Sequence, residues 1–252
     1  MMNEIPHTPI GQDIPRKEGN AMSEVIDFHA HILPHMDHGS GRAATASDQL
    51  AIMQQAGVTK VCATSHFYPQ DILPEVFLEE RRRSLETALR AYGYGPRPRI
   101  LLGAEVLICQ GLENMEGLRE LCIEGTDIML LEMPFTHGDW GRDLYRTVHE
   151  IQKQGINPVL AHVDRYPRES IEQLFDMGLY GQINCDSLTK VFRPKHLLRW
   201  VEEGKIVAFG SDLHGSDPKS YAPFIKVMNT FSDHAARIMR TTVQLLKNAK
   251  EY

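Results

Sequence analysis

Seven short apolar runs separated by helix-like segments constrain the fold of this chain more than any other feature of its sequence. The runs cover 24–29, 58–64, 99–105, 127–133, 156–162, 179–184 and 206–212. Several are continuously apolar, such as Ile128 to Leu131, which is typical of parallel strands covered on both faces. The alternation predicts an α/β protein in which seven β/α units follow one another, at roughly 33 residues per unit.

Helical patterns separate the predicted strands. They cover 45–56, 74–92, 113–123, 141–154, 168–177 and 194–203, and a last one covers 231–249. Glycine follows four of these patterns, at the position where a left-handed residue commonly ends a helix. No linker-like composition interrupts the series, so the sequence predicts one domain over 22–252, preceded by a flexible polar leader over 1–21.

Composition excludes several classes of function. The chain has 252 residues, of which 42% are hydrophobic and 24% charged, as in ordinary globular proteins. A formal net charge of −6 argues against broad nucleic-acid binding, which needs a basic surface. No apolar run approaches the roughly 20 residues of a membrane-spanning helix, and the N-terminus lacks the apolar centre of a secretion signal. Four cysteines without C-x-x-C spacing predict reduced thiols in a cytoplasmic protein.

Side chains that commonly bind metals follow six of the seven predicted strands. His29 and His31 end the first run, and residues two positions apart point to the same face of a strand. The other candidates are His66, Glu105, Glu132, His162, Asp212 and His214. Because function in a parallel α/β barrel resides at the carboxyl ends of the strands, we expect these side chains to meet. Each alone has an ordinary explanation, such as a loop histidine or a helix cap, but together they favour a metal centre.

Five motifs in order resemble the PHP (polymerase and histidinol phosphatase) superfamily. They are Asp27-Phe28-His29-Ala30-His31, Thr64-Ser65-His66, Gly103-Ala104-Glu105, His162-Val163-Asp164-Arg165-Tyr166 and Gly210-Ser211-Asp212-Leu213-His214. The resemblance implies a distorted (β/α)7 TIM-like barrel of PHP type, with three divalent metal ions at the carboxyl ends of the strands.

Within that superfamily the chain is most similar to the CpsB/CapC type of metal-dependent bacterial tyrosine phosphatases, which belong to capsule and exopolysaccharide operons. The similar stretches are His31-Ile32-Leu33-Pro34-His35-Met36-Asp37-His38-Gly39-Ser40 and Leu131-Glu132-Met133-Pro134-Phe135. Two positions depart from the group's pattern. His38 stands where the group carries a second ligand aspartate, and Val163 replaces the proline that usually follows the histidine of the fourth motif. His38 is still a competent ligand, but the change bears on metal preference and substrate class.

Carried over residue by residue, the resemblance implies three metal sites. Their ligand sets are His29, His31, Glu105 and Asp212; the bridging Glu105 with Glu132 and His162; and His38, His66 and His214. Six imidazoles with three carboxylates suit Mn, with Fe or Zn as alternatives, better than Ca or Mg. Asp27 is expected to orient a ligand imidazole through its other ring nitrogen.

Such a centre predicts a phosphomonoesterase. The first hypothesis is a protein-tyrosine phosphatase acting on the tail of a bacterial tyrosine kinase, with a water that bridges two ions attacking phosphorus after losing a proton. Arg165 would bind the phosphate, and Lys219 lies where the resembling phosphatases carry a second cation, although a plain surface charge is an alternative for both. His35 and His137 are two candidates for the general acid, and the sequence does not decide between them.

The sequence leaves two other functions open. A small-molecule phosphatase of the same superfamily, acting on histidinol phosphate or a nucleotide, would use the same centre, whereas a non-catalytic metal-binding module would serve a partner protein. Cysteine-based phosphatase chemistry is excluded, because no cysteine is followed by arginine six positions later. The charged stretch Glu79 to Arg83 is interpreted as a solvated helix face, with a substrate or subunit contact, and hence a homo-oligomer, as the alternative.

Overall fold

All seven predicted strands are present, and two of them are broken into shorter pieces. A computed structural model describes residues 24–135, 140–192, 194–230 and 232–252, so the predicted leader over 1–21 lies outside the described residues. Within the described ranges the strands are β1 (Ile26–Ala30), β2 (Lys60–Ala63), β3 (His66–Phe67), β4 (Arg99–Leu102), β5 (Glu105–Leu107), β6 (Ile128–Glu132), β7 (Asn157–Leu160), β8 (Tyr180–Asn184) and β9 (Ile206–Gly210).

Helices alternate with the strands as predicted, with three differences. They are α1 (Ala43–Gln55), α2 (Pro74–Tyr92), α3 (Arg142–Lys153), α4 (Arg168–Asp176), α5 (Cys185–Thr189), α6 (Lys195–Glu202), α7 (Pro218–Thr230) and α8 (Ser232–Leu245). The helix predicted over 113–123 was wrong: two 3-10 turns stand there, separated by Gly117 in a left-handed conformation at φ 77°. The sequence did not predict α5 or α7, which are short or interrupted by proline. None of the helices in the described ranges is long and apolar enough to cross a membrane.

The strands are parallel and follow one another around a distorted seven-unit barrel. One sheet has the order β1-β2-β4, and the other has the order β3-β5-β6-β7-β8-β9. The chain leaves the first sheet at two breaks, one from β2 to β3 and one from β4 to β5, and returns to it through α2 between β3 and β4. The circuit returns to β1 just after β9, where Ala30 pairs with Leu213 and the Asp212 N–H donates to the His29 carbonyl at 2.8 Å. The predicted (β/α)7 architecture is therefore confirmed.

The breaks in the second and third units place two of the predicted ligand side chains next to each other. After the break, β3 pairs with β5 so that His66 lies directly beside Glu105. Gly103 fits closely at the second break, where a Cβ would lie 3.0 Å from the side chain of Ile123 and 3.4 Å from the Thr64 methyl group. The small residue at this point lets the chain turn from β4 into β5.

A buried arginine holds the second break in place. Arg81 was predicted to lie on a solvated face, but it is 1% exposed and donates to the Gly103 carbonyl at 2.8 Å and to Glu124 Oε1 at 2.9 Å. The cause is helical spacing, since position 81 falls on the same inner face of α2 as Phe77, Ser84 and Leu85. The prediction was correct for Arg83, which is exposed and pairs with Glu79 one turn away.

We expect Arg81→Met to lower the free energy of unfolding by about 3 kcal/mol, because it leaves the buried Gly103 carbonyl without a donor and removes the buried charged partner of Glu124, to which the Tyr252 hydroxyl still donates. Urea unfolding followed by circular dichroism measures the loss. Arg83→Met on the same helix is the matched control and should change stability by less than about 0.5 kcal/mol. Equal losses in the two variants would contradict the structural role assigned to Arg81.

Candidate metal centre

The carboxyl ends of the strands surround a pocket of about 380 Å³. The predicted ligands gather there at different depths. His29, His31 and Glu105 are fully buried, Glu132 and His162 are nearly so, and His66, His214 and His38 are progressively more exposed toward the mouth. The structure thus brings together all nine side chains that the sequence singled out.

One carboxylate lies at the centre of the cluster. Oε2 of Glu105 is 3.1 Å from His29 Nε2, 3.3 Å from His31 Nε2 and 3.0 Å from His66 Nδ1. Its Oε1 is 2.7 Å from His162 Nε2. A carboxylate that faces four imidazoles through two oxygens is arranged as a bridging ligand would be.

Three groups of side chains could each hold a metal ion, because the ligand atoms within each group lie within 4.8 Å of one another. They are His29, His31 and Asp212; His66, Glu105 and Glu132; and His31, His66 and His214. The first contains most of the first predicted ligand set. The second joins the predicted Glu105–Glu132 pair with His66, and His162 Nε2 lies 3.7 Å from Glu132 Oε1. The third contains His66 and His214, and the exposed His38 ring lies 4.4 Å from the His214 ring between centroids.

Hydrogen bonds fix several imidazoles in the tautomer that a metal requires. His29 Nδ1–H donates to Gln182 Oε1 at 3.1 Å, and His31 Nδ1–H donates to Asp37 Oδ2 at 2.8 Å. Each ring therefore presents Nε2 to the cluster, where this atom donates to a neighbour when it is protonated and can bind a metal ion when it is deprotonated. His214 Nδ1–H donates to the Asp212 carbonyl at 3.0 Å, which leaves its Nε2 buried with no hydrogen-bond partner.

The donor set fits divalent metal ions. Besides His214 Nε2, the Nδ1 atom of His162 is buried without a hydrogen bond, and His66 Nδ1 meets Glu105 Oε2 at 3.0 Å in a geometry that makes no hydrogen bond. Buried polar atoms of this kind are costly unless something satisfies them. Imidazoles mixed with carboxylates are donors that Mn, Fe and Zn accept. The residues present therefore match the cofactor that the sequence predicted, while the membership of each ligand set stays a prediction.

Electrostatics at the cluster follow from burial and proximity. Burial disfavours the charged form of Glu105, but the charge of His29 and hydrogen bonds from the imidazoles outweigh it and hold the Glu105 pKa well below its usual range. Burial and the Glu105 charge raise the pKa of Glu132 to about 7. Burial also lowers the pKa of His162. The pKa values of these two carboxylates are thus shifted in opposite directions, because the imidazoles lie closer to Glu105 than to Glu132.

Asp37 is a positioning residue that the sequence analysis did not single out. Besides holding His31, its Oδ2 accepts the His66 N–H at 3.1 Å, and its Oδ1 accepts the Gly39 N–H at 2.8 Å. Despite burial, these bonds and the charge of His31 keep the pKa of Asp37 below its usual range. The sequence could have pointed to Asp37, because this residue belongs to the family-like stretch from His31 to Ser40.

The side chains of Gln182 and Asn184 connect buried members of the cluster through hydrogen bonds. Gln182 Oε1 accepts both His29 Nδ1–H and the His162 N–H, the latter at 2.8 Å, and Gln182 Nε2 donates to Asn184 Oδ1 at 2.8 Å. Asn184 Nδ2 in turn donates to Asp212 Oδ2 at 3.0 Å. This chain of bonds also restrains two strained residues, since His162 and Asp212 have φ angles of 28° and 52°.

Asp27 does not orient an imidazole, contrary to the expectation from the sequence. Its Oδ1 accepts the Ser211 N–H at 2.9 Å and the His29 N–H at 3.3 Å, and its Oδ2 accepts the Tyr221 hydroxyl at 2.9 Å. The side chain therefore bonds to the backbone of the first and last units. Gln182 takes the role that had been predicted for Asp27.

The two predicted phosphate-binding cations lie in different surroundings. Arg165 lines the pocket, is partly exposed and forms a close ion pair with Asp212 Oδ2. Lys219 lies exposed in the first turn of α7 and does not line the described pocket. Of the candidate acids, His35 is exposed and is likewise not among the described residues that line the pocket, and His137 falls outside the described residues.

This combination of features defines a class: a parallel β/α barrel with a histidine–carboxylate centre, suited to divalent metals, at the carboxyl ends of its strands. Comparison with known proteins narrows the class. A family model described as capsular polysaccharide synthesis, CpsB/CapC, matches residues 25–251. The chain therefore belongs to the CpsB/CapC family, and the resemblance drawn from its motifs is confirmed.

Individual relatives are distant but cover most of the chain. The tyrosine-protein phosphatase CpsB of Streptococcus pneumoniae is 26% identical over 215 residues, which covers 77% of this chain and 85% of that protein. The tyrosine-protein phosphatase YwqE of Bacillus subtilis is 27% identical over 206 residues, covering 78% and 80%. A chain from the crystal structures of these two proteins, described as unique metal-dependent tyrosine phosphatases, superposes with a TM-score of 0.70 at 24% identity, covering 90% of this chain and 96% of that one. That likeness shows a shared fold.

We expect Gln182→Met to weaken metal binding 10- to 100-fold, because the variant removes the acceptor that fixes the His29 tautomer while keeping the side-chain volume. Calorimetric titration of the metal-free protein with Mn²⁺ measures the change. Thr147→Val is the control, since it removes another buried side-chain hydrogen bond, to Glu113, outside the cluster. Unchanged Mn²⁺ affinity in a folded Gln182→Met variant would rule out the positioning role.

Proposed function

We propose that this protein is a metal-dependent protein-tyrosine phosphatase of capsule or exopolysaccharide regulation. The observation that carries the proposal is the convergence of nine histidine and carboxylate side chains in one cluster, six of them lining a pocket that also contains an arginine and three buried beneath it. Membership in the CpsB/CapC family and the named activity of its relatives CpsB and YwqE support it.

The chain's own residues account for a metal requirement. Three carboxylates, Glu105, Glu132 and Asp212, line or underlie the pocket, and without added positive charge they would repel a phosphate dianion. We propose three divalent ions held by the nine predicted ligands, with Mn first and Fe or Zn as alternatives. Bound ions of this kind supply Lewis acidity and lower the pKa of water.

Arg165 is proposed as the phosphate-binding side chain. It lies at the pocket wall with its guanidinium held by Asp212, so its orientation is set before substrate arrives. A planar guanidinium carries several N–H donors suited to phosphate oxygens. The exposed Lys219 has no comparable contact with the pocket, and we therefore assign phosphate binding to Arg165 alone.

The pocket favours esters with a good leaving group. Every histidine among the described pocket-lining residues is a predicted ligand, and none of them is left over to protonate a departing alkoxide. A tyrosine phenolate has a pKa of about 10 and depends less on a general acid than an alkoxide does. A phosphotyrosine-bearing protein, such as the tail of a bacterial tyrosine kinase, is therefore the proposed partner.

A small phosphorylated molecule is the second candidate substrate. The observation that favours it is His38, which lies at the mouth of the pocket where the tyrosine-phosphatase group carries aspartate. Histidinol phosphate is a suitable representative of this substrate class.

We expect the Mn²⁺-loaded protein to hydrolyse a phosphotyrosine peptide, and His162→Ala to lower kcat/KM at least 100-fold because it removes a predicted ligand next to Glu105. Initial rates on the peptide and on histidinol phosphate at equal metal content measure this. His196→Ala, a histidine packed on Trp200 outside the cluster, is the control and should match the wild type. Activity that persists after chelation, or activity on histidinol phosphate alone, would reject the proposal.

The two cations give a separate prediction. Arg165→Met should reduce kcat/KM for the peptide by about 10- to 100-fold, as expected for loss of a charge-assisted contact with phosphate. Lys219→Met should stay within about twofold of the wild type, since a surface substitution away from the site has little effect. Steady-state kinetics decide the point, and the reverse order would assign phosphate binding to Lys219.

A further inference from the structure

Part of the pocket wall has no role in metal binding. Among the described lining residues, four do not belong to the predicted ligands or to the cationic side: Tyr68, Leu107, Pro134 and Phe135. We call these four residues the aryl wall. Because these four side chains offer no charge to a phosphate group, the part of a substrate that they could contact is the group to which the phosphate is attached.

Phe135 is the most exposed member of the aryl wall. It is 57% exposed, and its ring lies 5.5 Å from the His162 ring and 5.2 Å from the Tyr166 ring between centroids, nearly parallel to both. A large apolar ring left in water at the mouth of a pocket gains stability when a ligand covers it. The ring is therefore available to a bound group.

The backbone that leads to Phe135 is held firmly. The Tyr166 hydroxyl accepts the Met133 N–H at 3.1 Å and donates to the Met133 carbonyl at 2.9 Å. Trp140 Nε1–H donates to the Pro134 carbonyl at 3.0 Å, and its ring packs edge-on against Tyr166. Phe135 is thus presented by a preorganised segment, which reduces the entropy lost on binding.

Tyr68 is the second aromatic member of the aryl wall, and it stacks on a different histidine of the cluster. Its ring stacks on the His66 ring at 5.3 Å and 16°. His66 contacts one oxygen of Glu105 and His162 contacts the other, at 3.0 Å and 2.7 Å. The two aromatic rings therefore flank the carboxylate at the centre of the cluster, each stacked on one of its histidines.

We propose that Tyr68 and Phe135 form a recognition slot that makes the site selective for aryl over alkyl phosphomonoesters, an inference that rests on the proposed phosphatase function. A phosphate held above Glu105 places its ester group beside both rings. A planar aryl group stacks on aromatic neighbours at centroid distances of roughly 4.5–7 Å, whereas an alkyl chain offers no face. Selectivity then arises in binding of the ester group as well as in the quality of the leaving group.

The experiment separates binding from turnover by using phosphonates, which the enzyme cannot hydrolyse. Calorimetry on the Mn²⁺-loaded protein compares phenylphosphonate with propylphosphonate. We expect the wild type to prefer phenylphosphonate, and Phe135→Ala to lose about tenfold of that affinity while binding propylphosphonate unchanged. Phe135→Leu, which keeps an apolar side chain without an aromatic face, should lose most of the preference, and Tyr68→Phe should keep it.

Phe192→Ala is the matched control, because Phe192 is 94% exposed and is not among the described residues that line the pocket. It should bind both phosphonates as the wild type does. Equal affinity of the wild type for the two probes, absence of binding to either, or a full aryl preference in Phe135→Leu would overturn the slot. An aryl preference that Phe135→Ala abolishes, in a protein that hydrolyses neither phenyl phosphate nor propyl phosphate, would support the slot while rejecting the proposed function.

Discussion

The buried charge of Glu105 is the constraint on which the rest of the site depends. A carboxylate without solvent around it persists only when cations or hydrogen-bond donors surround it. Here imidazoles from the first, second and fifth units of the barrel supply those partners. The break between β4 and β5, held by Arg81 through the Gly103 carbonyl, places Glu105 level with His66. A residue on α2 therefore contributes to a site that it does not touch.

The sequence predicted the strands and most of the site for one physical reason. Parallel strands covered on both faces must be apolar, so the polar residue that ends each run is conspicuous, as Glu132 is after Leu130 and Leu131. The same reasoning identifies His162 after β7. Because a barrel brings equivalent strand ends together, the order of the strands along the chain was enough to place these ligands in one group.

What the sequence did not predict depends on tertiary packing. Gln182 and Asn184 are uncharged amides whose importance appears only when β8 lies beside β7 and β9. Arg81 carried the signature of a surface residue, and only the packing of α2 on the barrel buries it. Asp27 accepts a hydrogen bond from the Ser211 N–H because strand β1 lies next to the segment after β9, which comes 184 residues later in the chain.

Two histidines of the cluster, both of them predicted ligands, also stack on aromatic rings of the pocket wall. His66 and His162 offer nitrogen atoms to the centre and ring faces to Tyr68 and Phe135. Any change that tilts one of these imidazoles alters the geometry of the cluster and the position of an aromatic ring together. The proposed metal binding and the proposed recognition of the ester group would consequently depend on one another in this pocket.

The division of the barrel into two sheets has a mechanical consequence. His29 and His31 belong to the end of β1 in the three-stranded sheet, whereas His66, Glu105, Glu132 and His162 belong to the six-stranded sheet or directly follow it. Metal ions bound by side chains of both sets would join the two sheets at the carboxyl ends of their strands. Metal release would then loosen the seam between β1 and the segment after β9, where one isolated bridge, backbone hydrogen bonds and the side chains of Asp27 and Ser211 join the ends of the circuit in the described part of the chain.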